Sequence, residues 1–477
     1  MRRCDKISFL PNEIQDQIVS YLPIEEAIRT SILSTRWRKV CYSLSNLDFD
    51  MRSFPFQGLR PGVRSTEAFK IFVNQVLTLH DDSDIHKFKL VFVHDDSDAS
   101  FPPLINQWIS FAINHNVREL HISIDVNQNI RELPIFFDGQ GLPTPVVSPS
   151  SLFTSSSLTI LSISATKIIL PTNISIPNLK DLTLNLVKFV DDNDTKRLFL
   201  SSPVLERLSI LSCFWMNFYN VGALLIHGPN LKFLKVQKVL RDIQLSPTTN
   251  LLQIWYQEDS PPQFSKEDVS SLIEATFICP RPCWPSNKLP RHWQSEILLG
   301  LSNVAKLTLR GWYIEYLSRE LDLLARLPTS CSTLKHLVID FYPTIEQLKV
   351  LILLLRGYPC LQTLHIYIEI LSMIDLTMLH KILGVVDYVE MRELCTEAVL
   401  NQLARVEIEY FEGSEMELDL VRFLLRNATS LEIMNITLSS ISQRRGKTSV
   451  SINDTIQMFP RVSPRAIITI LDNSSES

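Results

Sequence analysis

One short pattern recurs along this chain and limits what it can become: an apolar residue, two variable ones, a second apolar residue, one variable, a third apolar residue. It appears as Val117-Leu120-Ile122, Leu158-Leu161-Ile163, Leu179-Leu182-Leu184, Leu205-Leu208-Ile210 and Leu231-Leu234-Val236. It continues through Leu251-Ile254-Tyr256, Leu272-Ala275-Phe277, Val304-Leu307-Leu309, Leu334-Leu337-Ile339 and Leu361-Leu364-Ile366. From Leu158 onward, successive first positions lie 21, 26, 26, 20, 21, 32, 30 and 27 residues apart. A unit of that size cannot bury its apolar face alone, and stacking neighbours creates a continuous core. Alternation inside each copy, as in Lys180-Asp181-Leu182-Thr183-Leu184, predicts a short strand with the second and third apolar positions inward. The residue between them then faces the open side: Ser162, Thr183, Ser209, Lys235, Thr308, Val338 and His365. Turn signals such as Pro177-Asn178, Gly228-Pro229-Asn230 and Tyr358-Pro359 open many copies. The expectation is an α/β chain organised as an irregular solenoid with a parallel sheet.

Ahead of the array lies a different kind of segment. Pro11 suits the first position of a helix, where its missing N–H costs nothing. Ile14, Ile18 and Leu22, with Tyr21 beside them, give that helix an apolar face, and Pro23 stops it. Glu25 and Glu26 favour the start of a second helix whose inner face is expected to hold Ile24, Ala27, Ile28 and Ile32. Ser34 is the expected N-cap of a third helix carrying Arg36, Trp37, Arg38 and Lys39. Three helices in about forty residues bury little surface by themselves, so this unit must pack on the neighbouring body of the chain or on a partner.

Near the other end, residues 395–436 read strand, helix, strand. Val406 and Ile408 alternate with charge, Gly413 turns, and Met416, Leu420, Phe423 and Leu424 form a helical stripe ended by Asn427-Ala428. Leu431, Met434 and Ile436 then repeat the earlier pattern. Residues 441–477 read as a tail, with an apolar stretch from Ala466 to Leu471 able to dock.

At 477 residues the chain needs several domains or one elongated array. A net charge of −5 leaves no electrostatic footprint for nucleic acid. The opening Met-Arg-Arg-Cys-Asp-Lys lacks the apolar run of a secretory signal, and the longest apolar run, Val350 to Leu355, is too short to cross a bilayer. The expected setting is the cytoplasm or nucleus, with eight scattered, reduced, mostly structural cysteines. Four chemical signals turn out weak. Gly446-Lys447-Thr448 lacks the upstream glycine of a phosphate loop. Cys279-Pro-Arg-Pro-Cys283 lacks partners for zinc. The twin acidic stretches His80–Asp84 and His94–Asp98 read as solvated loops, and His365 reads as an exposed strand residue. No metal or cofactor is expected.

The first segment resembles the F-box, the motif by which many plant and animal proteins bind the Skp adaptor of cullin-based ubiquitin ligases. The resemblance rests on Leu10, Pro11, Ile14, Ile18, Leu22, Pro23, Ala27, Arg29, Ser31, Leu33, Ser34, Arg36, Trp37 and Arg38. The run Val-Glu-Ile-Glu, Phe-Glu-Gly-Ser-Glu-Met-Glu-Leu and Phe-Leu-Leu-Arg-Asn-Ala (406–428) resembles the FBD domain found at the end of plant F-box proteins with leucine-rich repeats. These resemblances imply an F-box over 5–48, a leucine-rich-repeat solenoid over 49–385, an FBD segment over 386–440 capping the sheet, and a tail over 441–477. They imply a non-catalytic substrate receptor, in which Leu10, Pro11, Ile14, Ile18, Leu22, Leu33 and Trp37 give apolar contacts to a Skp-type adaptor and, through it, a cullin. Ser34, Arg36 and Arg38 would give polar contacts. The repeats would hold an unknown target protein. The alternative reading is a repeat scaffold not coupled to ubiquitination.

Overall fold

The computed structural model describes residues 10–54, 65–94, 101–126, 149–164, 167–168, 170–189, 192–215, 223–239, 243–245, 251–258, 264, 269–279, 297–298, 300–301, 303–318, 333–369, 400–439 and 449–472. The chain divides into two compact units, residues 1–231 with 237–241, and residues 232–236 with 242–477.

The first unit begins with three helices, α1 (Asn12–Ser20), α2 (Ile24–Thr30) and α3 (Thr35–Tyr42), and passes directly into strand β1 (Asn46–Asp50). It continues as α4 (Ser65–Leu79), β2 (Lys87–His94), α5 (Phe101–Asn114), β3 (Glu119–Val126), β4 (Ile160–Ser164), β5 (Asp181–Asn185), α6 (Asp192–Leu200) and β6 (Arg207–Leu211). The six strands form a parallel ladder in sequence order. Its register places Leu47, Phe88, Leu120, Leu161, Leu182 and Leu208 side by side, every one buried. From Leu120 onward these are the second positions of the recurring pattern. Two earlier copies, Leu44-Leu47-Phe49 and Ile85-Phe88-Leu90, extend the array toward the N-terminus, all six side chains buried. The repeats therefore start at Leu44, and β1 crosses the expected boundary at residue 48.

Backbone hydrogen bonds tie each repeat to the one before. At each strand entrance two successive N–H groups converge on one carbonyl of the preceding copy. His86 and Lys87 donate to Ser45, Arg118 and Glu119 to His86, and Lys180 and Asp181 to Thr159. The turn asparagines act likewise: Asn178 Nδ2 donates to the Ser156 carbonyl and Asn230 Nδ2 to the Pro203 carbonyl. After the strands the chain corners through left-handed backbone at Leu186, Ser212 and Lys238, with φ of 52°, 50° and 49°. Leu186 N–H donates to Leu211 O and Ser212 N–H to Gln237 O, so these corners also stack.

The second unit repeats the plan. The strands of its long ladder are β7 (Phe233–Gln237), β8 (Gln253–Gln257), β9 (Glu274–Cys279), β10 (Lys306–Gly311), β11 (His336–Phe341), β12 (Thr363–Ile368), β13 (Arg405–Phe411), β14 (Ile433–Leu438) and β15 (Ile467–Leu471). Between them run α7 (Tyr313–Leu317), α8 (Ile345–Gly357), α9 (Glu415–Asn427) and α10 (Ser449–Gln457). The register aligns Ile254, Ala275, Leu307, Leu337, Leu364, Val406, Met434 and Ile468. The apolar run Val350–Leu355 lies within α8, whose inner side chains are fully buried. No helix among the described residues is long and apolar enough to cross a membrane.

The strand–helix–strand reading of 395–436 corresponds to β13, α9 and β14. One expectation changes: this segment does not close the sheet. The tail supplies α10 and a further parallel strand, β15, paired with β14. Ile468 and Ile470 occupy the second and third positions of the repeat, in register with Met434 and Ile436, and that is enough for one more rung although Arg465 stands at the first position.

Candidate partner-docking surfaces

The helical module is held together by a small core and by caps. Val19 of α1, Ile24 and Ala27 of α2, and Trp37, Val40 and Cys41 of α3 are buried together with Leu44. The Cys41 thiol donates to the Ala27 carbonyl at 3.0 Å, and burial pushes its pKa up, as expected of a structural thiol. Ser34 caps α3, its Oγ accepting from Trp37 N–H at 3.3 Å. Pro11 stands one residue before the helix proper, in extended conformation (ψ 151°), and its carbonyl accepts from Ile14 and Gln15 N–H. The module is anchored to the ladder through His80, whose Nε2 meets the Leu44 carbonyl at 3.0 Å, and through Asp81 N–H donating to Tyr42 O.

The outer surface of this module is apolar. Ile14 and Ile18 are exposed along α1 and Leu22 in the turn after it, joined by Tyr21 at 79%, Ile32 at 82% and Leu33 at 67% exposure. Helix α1 turns Gln15 and Val19 inward, so the Ile14-Ile18-Leu22 stripe looks outward. Pro11 and Arg38 are exposed, and Leu10, Ser34 and Arg36 half-buried. Two expectations are corrected. Trp37 is only 3% exposed and belongs to the module's core, so it does not offer a contact surface. Ile32 is not on an inner face, because α2 ends at Thr30 and the following turn lifts Ile32 and Leu33 outward. Tyr21 and Ile32 are the surface residues that sequence reasoning did not assign. The signal for Ile32 was the spacing from Ile24 and Ile28, which keeps a helical face only while the helix lasts.

The second surface is the open face of the strands. Ser162, Thr183, Ser209, Lys235, Thr308, Val338 and His365 all stand half-exposed there, between fully buried neighbours. In the first unit, Lys89 pairs with Asp48 at 3.1 Å across β1 and β2. Burial, helped by Lys87, holds His121 below the ordinary imidazole range, so it is neutral on this face near pH 7. In the second unit, Arg310 Nε donates to Asp340 Oδ1 at 2.9 Å, and Gly311 N–H donates to Asp340 Oδ2 at 2.6 Å. Burial raises the Asp340 pKa, opposed by these two donors.

The weaker chemical signals have structural roles where they are described. His80 ties the module to the ladder as above, Asp81 Oδ1 accepts from Ser83 N–H, and Asp84 Oδ1 accepts from Asn116 Nδ2 at 2.8 Å. Residues 95–98 of the second acidic stretch, Cys283, and Gly446-Lys447-Thr448 lie outside the described residues. Cys279 is buried at the end of β9, and Cys213 is fully enclosed, its thiol pushed up to about 12 by burial. Among the described residues there is no cluster of three or more His, Cys, Asp or Glu side chains placed to hold a metal ion.

Comparison with known proteins places these surfaces in context. The family model for the At1g61320/AtMIF1 LRR domain matches residues 76–470, and that for the F-box domain matches residues 7–49. F-box/FBD/LRR-repeat protein At1g78750 of Arabidopsis thaliana is 25% identical, the alignment covering 98% of this chain and 97% of that protein. F-box/FBD/LRR-repeat protein At1g13570 of the same plant is 27% identical over 98% of this chain and 99% of its own length. FBD-associated F-box protein At4g10400 is 30% identical over 58% of this chain and 62% of its own length.

Proposed function

From the premise that this chain belongs to the F-box/LRR-repeat family, we propose that it is the substrate-recognition subunit of a Skp–cullin–F-box ubiquitin ligase. The observation that carries this reading is the apolar patch of Ile14, Ile18, Tyr21, Leu22, Ile32 and Leu33 on the outside of the helical module. Exposed apolar clusters of this kind mark protein interaction sites. The patch would take the Skp-type adaptor, with Leu10 and Pro11 at its edge and Arg36 and Arg38 giving polar contacts. Ser34 would act at one remove, by fixing the start of α3. The open strand face would hold the target protein.

The chain would contribute no reacting group. Its catalytic effect would be to raise the effective concentration of a target lysine beside a charged ubiquitin carrier held by other subunits. Such work belongs in the cytoplasm or nucleus. The test is co-purification with a Skp-type adaptor and cullin. Ile18→Ala with Leu33→Ala is expected to weaken adaptor binding at least ten-fold, since fully burying a leucine or isoleucine side chain is worth about 1.5–3 kcal/mol, while the unfolding midpoint stays put. Adaptor binding indifferent to these changes would overturn the reading. Target capture without cullin would favour an uncoupled scaffold instead.

A further inference from the structure

Strands β10 to β13 carry a group of rings on their open side. The Arg310 guanidinium, held by Asp340, lies 4.6 Å over the ring of Tyr367. Tyr367 stacks on His365, with centroids 4.3 Å apart and planes 25° from parallel. Tyr410 extends the group from β13, 6.4 Å from Tyr367. Its placement is unusual. Strict alternation would turn residue 410 inward, but the register shifts between Ile408 and Phe411, and Glu409 and Tyr410 both emerge on the open side. Tyr410 takes φ of +61°, which bulky side chains rarely adopt, and is 42% exposed. Phe411 then returns to the core, so packing is served without Tyr410.

The charge around these rings is unbalanced. Glu409 Oε1 meets His365 Nε2 at 2.8 Å, and Glu407 Oε2 lies 3.7 Å from His365 Nδ1. Glu369 stands half-buried at the end of β12, and its carboxylate makes no hydrogen bond among the described residues. Arg310 is neutralised by Asp340, and Arg405, 3.8 Å from Glu407, is the one further cation on β12 or β13 among the described residues. Ring faces edged by carboxylates attract guanidinium and ammonium groups through cation–π and charge-assisted contacts. Arg310 on Tyr367 already displays that geometry within the chain.

We infer that this face, formed by His365, Tyr367 and Tyr410 with Glu407 and Glu409, is where the target docks a basic segment, an arginine or lysine entering against the exposed Tyr410 ring beside the two carboxylates. The inference rests on the receptor reading above and adds the chemistry of what is received. The test uses the full chain bound to its Skp-type adaptor and fluorescein-labelled nonapeptides of alternating glycine with arginine, lysine or glutamate, followed by fluorescence anisotropy. The arginine peptide is expected to bind at least ten-fold tighter than the glutamate peptide, with affinity falling as salt rises. Tyr410→Ala with Glu409→Gln, and separately Glu407→Gln with Glu409→Gln, are expected to weaken it about ten-fold. A control with the charge change of the second pair, Asp454→Asn with Asp472→Asn, leaves it unchanged. The charge-only pair keeps the test decisive if the tyrosine variant unfolds. Equal binding of the arginine and glutamate peptides, or no response to either face variant, would overturn the inference. Adaptor retention, read on the same samples, reports separately on the ligase reading.

Discussion

At Gly311 the chain turns out of β10 with φ of +65°, and a Cβ there would sit 2.3 Å from the Cys279 carbonyl oxygen. That carbonyl already accepts from Trp312 N–H. Gly311→Ala must therefore push backbone against backbone, and we expect a loss of ~2 kcal/mol or more in urea unfolding. Leu186 is the converse case. It holds a left-handed corner while its side chain is exposed, so Leu186→Gly relieves ~1 kcal/mol of backbone strain and loses a similar amount of chain entropy. The same unfolding experiment should find it within about 1 kcal/mol of wild type. Two residues of the helical module separate in the same way. Trp37→Ala should cost about 3–5 kcal/mol in stability, as for other buried aromatics, whereas Ile32→Ala should leave stability unchanged and weaken adaptor binding. The sequence marked both as apolar and could not rank them, because burial of Trp37 depends on α2 and α3 crossing, while Ile32 escapes only because its helix stops.

Among the elements, α9 shows how a buried charge can be structural. Glu417 is 1% exposed, and its Oε2 accepts from Glu412, Gly413 and Ser414 N–H at 2.9, 2.6 and 3.1 Å, while Ser414 Oγ accepts from Glu417 N–H. Burial pushes the Glu417 pKa up against those donors. Helix α8 uses Thr344 and Gln347 the same way, with Gln347 Oε1 accepting from Tyr342 N–H at 2.9 Å. Glu417→Ala orphans two buried donors and a half-buried one, so we expect a loss of about 2–3 kcal/mol in thermal unfolding, against a much smaller one for Glu417→Gln, which keeps an acceptor oxygen. Both helix starts were written in the sequence as Ser-x-x-Glu and Thr-x-x-Gln. The apolar stripe of α9 was legible from spacing alone, but the reach of its glutamate to the Glu412 and Gly413 N–H groups was not, since those donors converge only once the preceding turn is folded.

For the molecule as a whole, the repeats from Val117 to Leu361 were legible because spacing fixes register: second-position side chains align from Leu120 to Leu208 in the first unit and from Ile254 to Leu364 in the second. The two copies before them carry the same pattern at Leu44 and Ile85, 41 and 32 residues from their successors, with a helix in each interval. The last strand was legible only as an apolar stretch, since a single rung has no following copy to set its phase. The open-face aromatics were equally invisible, because Tyr410 reaches Tyr367 only through a bulge. One consequence concerns the backbone spine that starts at Ser45. Helix α2 packs on β1, and β1 is the outermost rung at that end. Deleting residues 1–43 to remove the helical module would therefore strip the cover from a row of edge-strand peptide groups. We expect that truncation to sediment as aggregates, whereas Ile18→Ala with Leu33→Ala stays monodisperse; point changes in the apolar patch are the sounder way to probe the module.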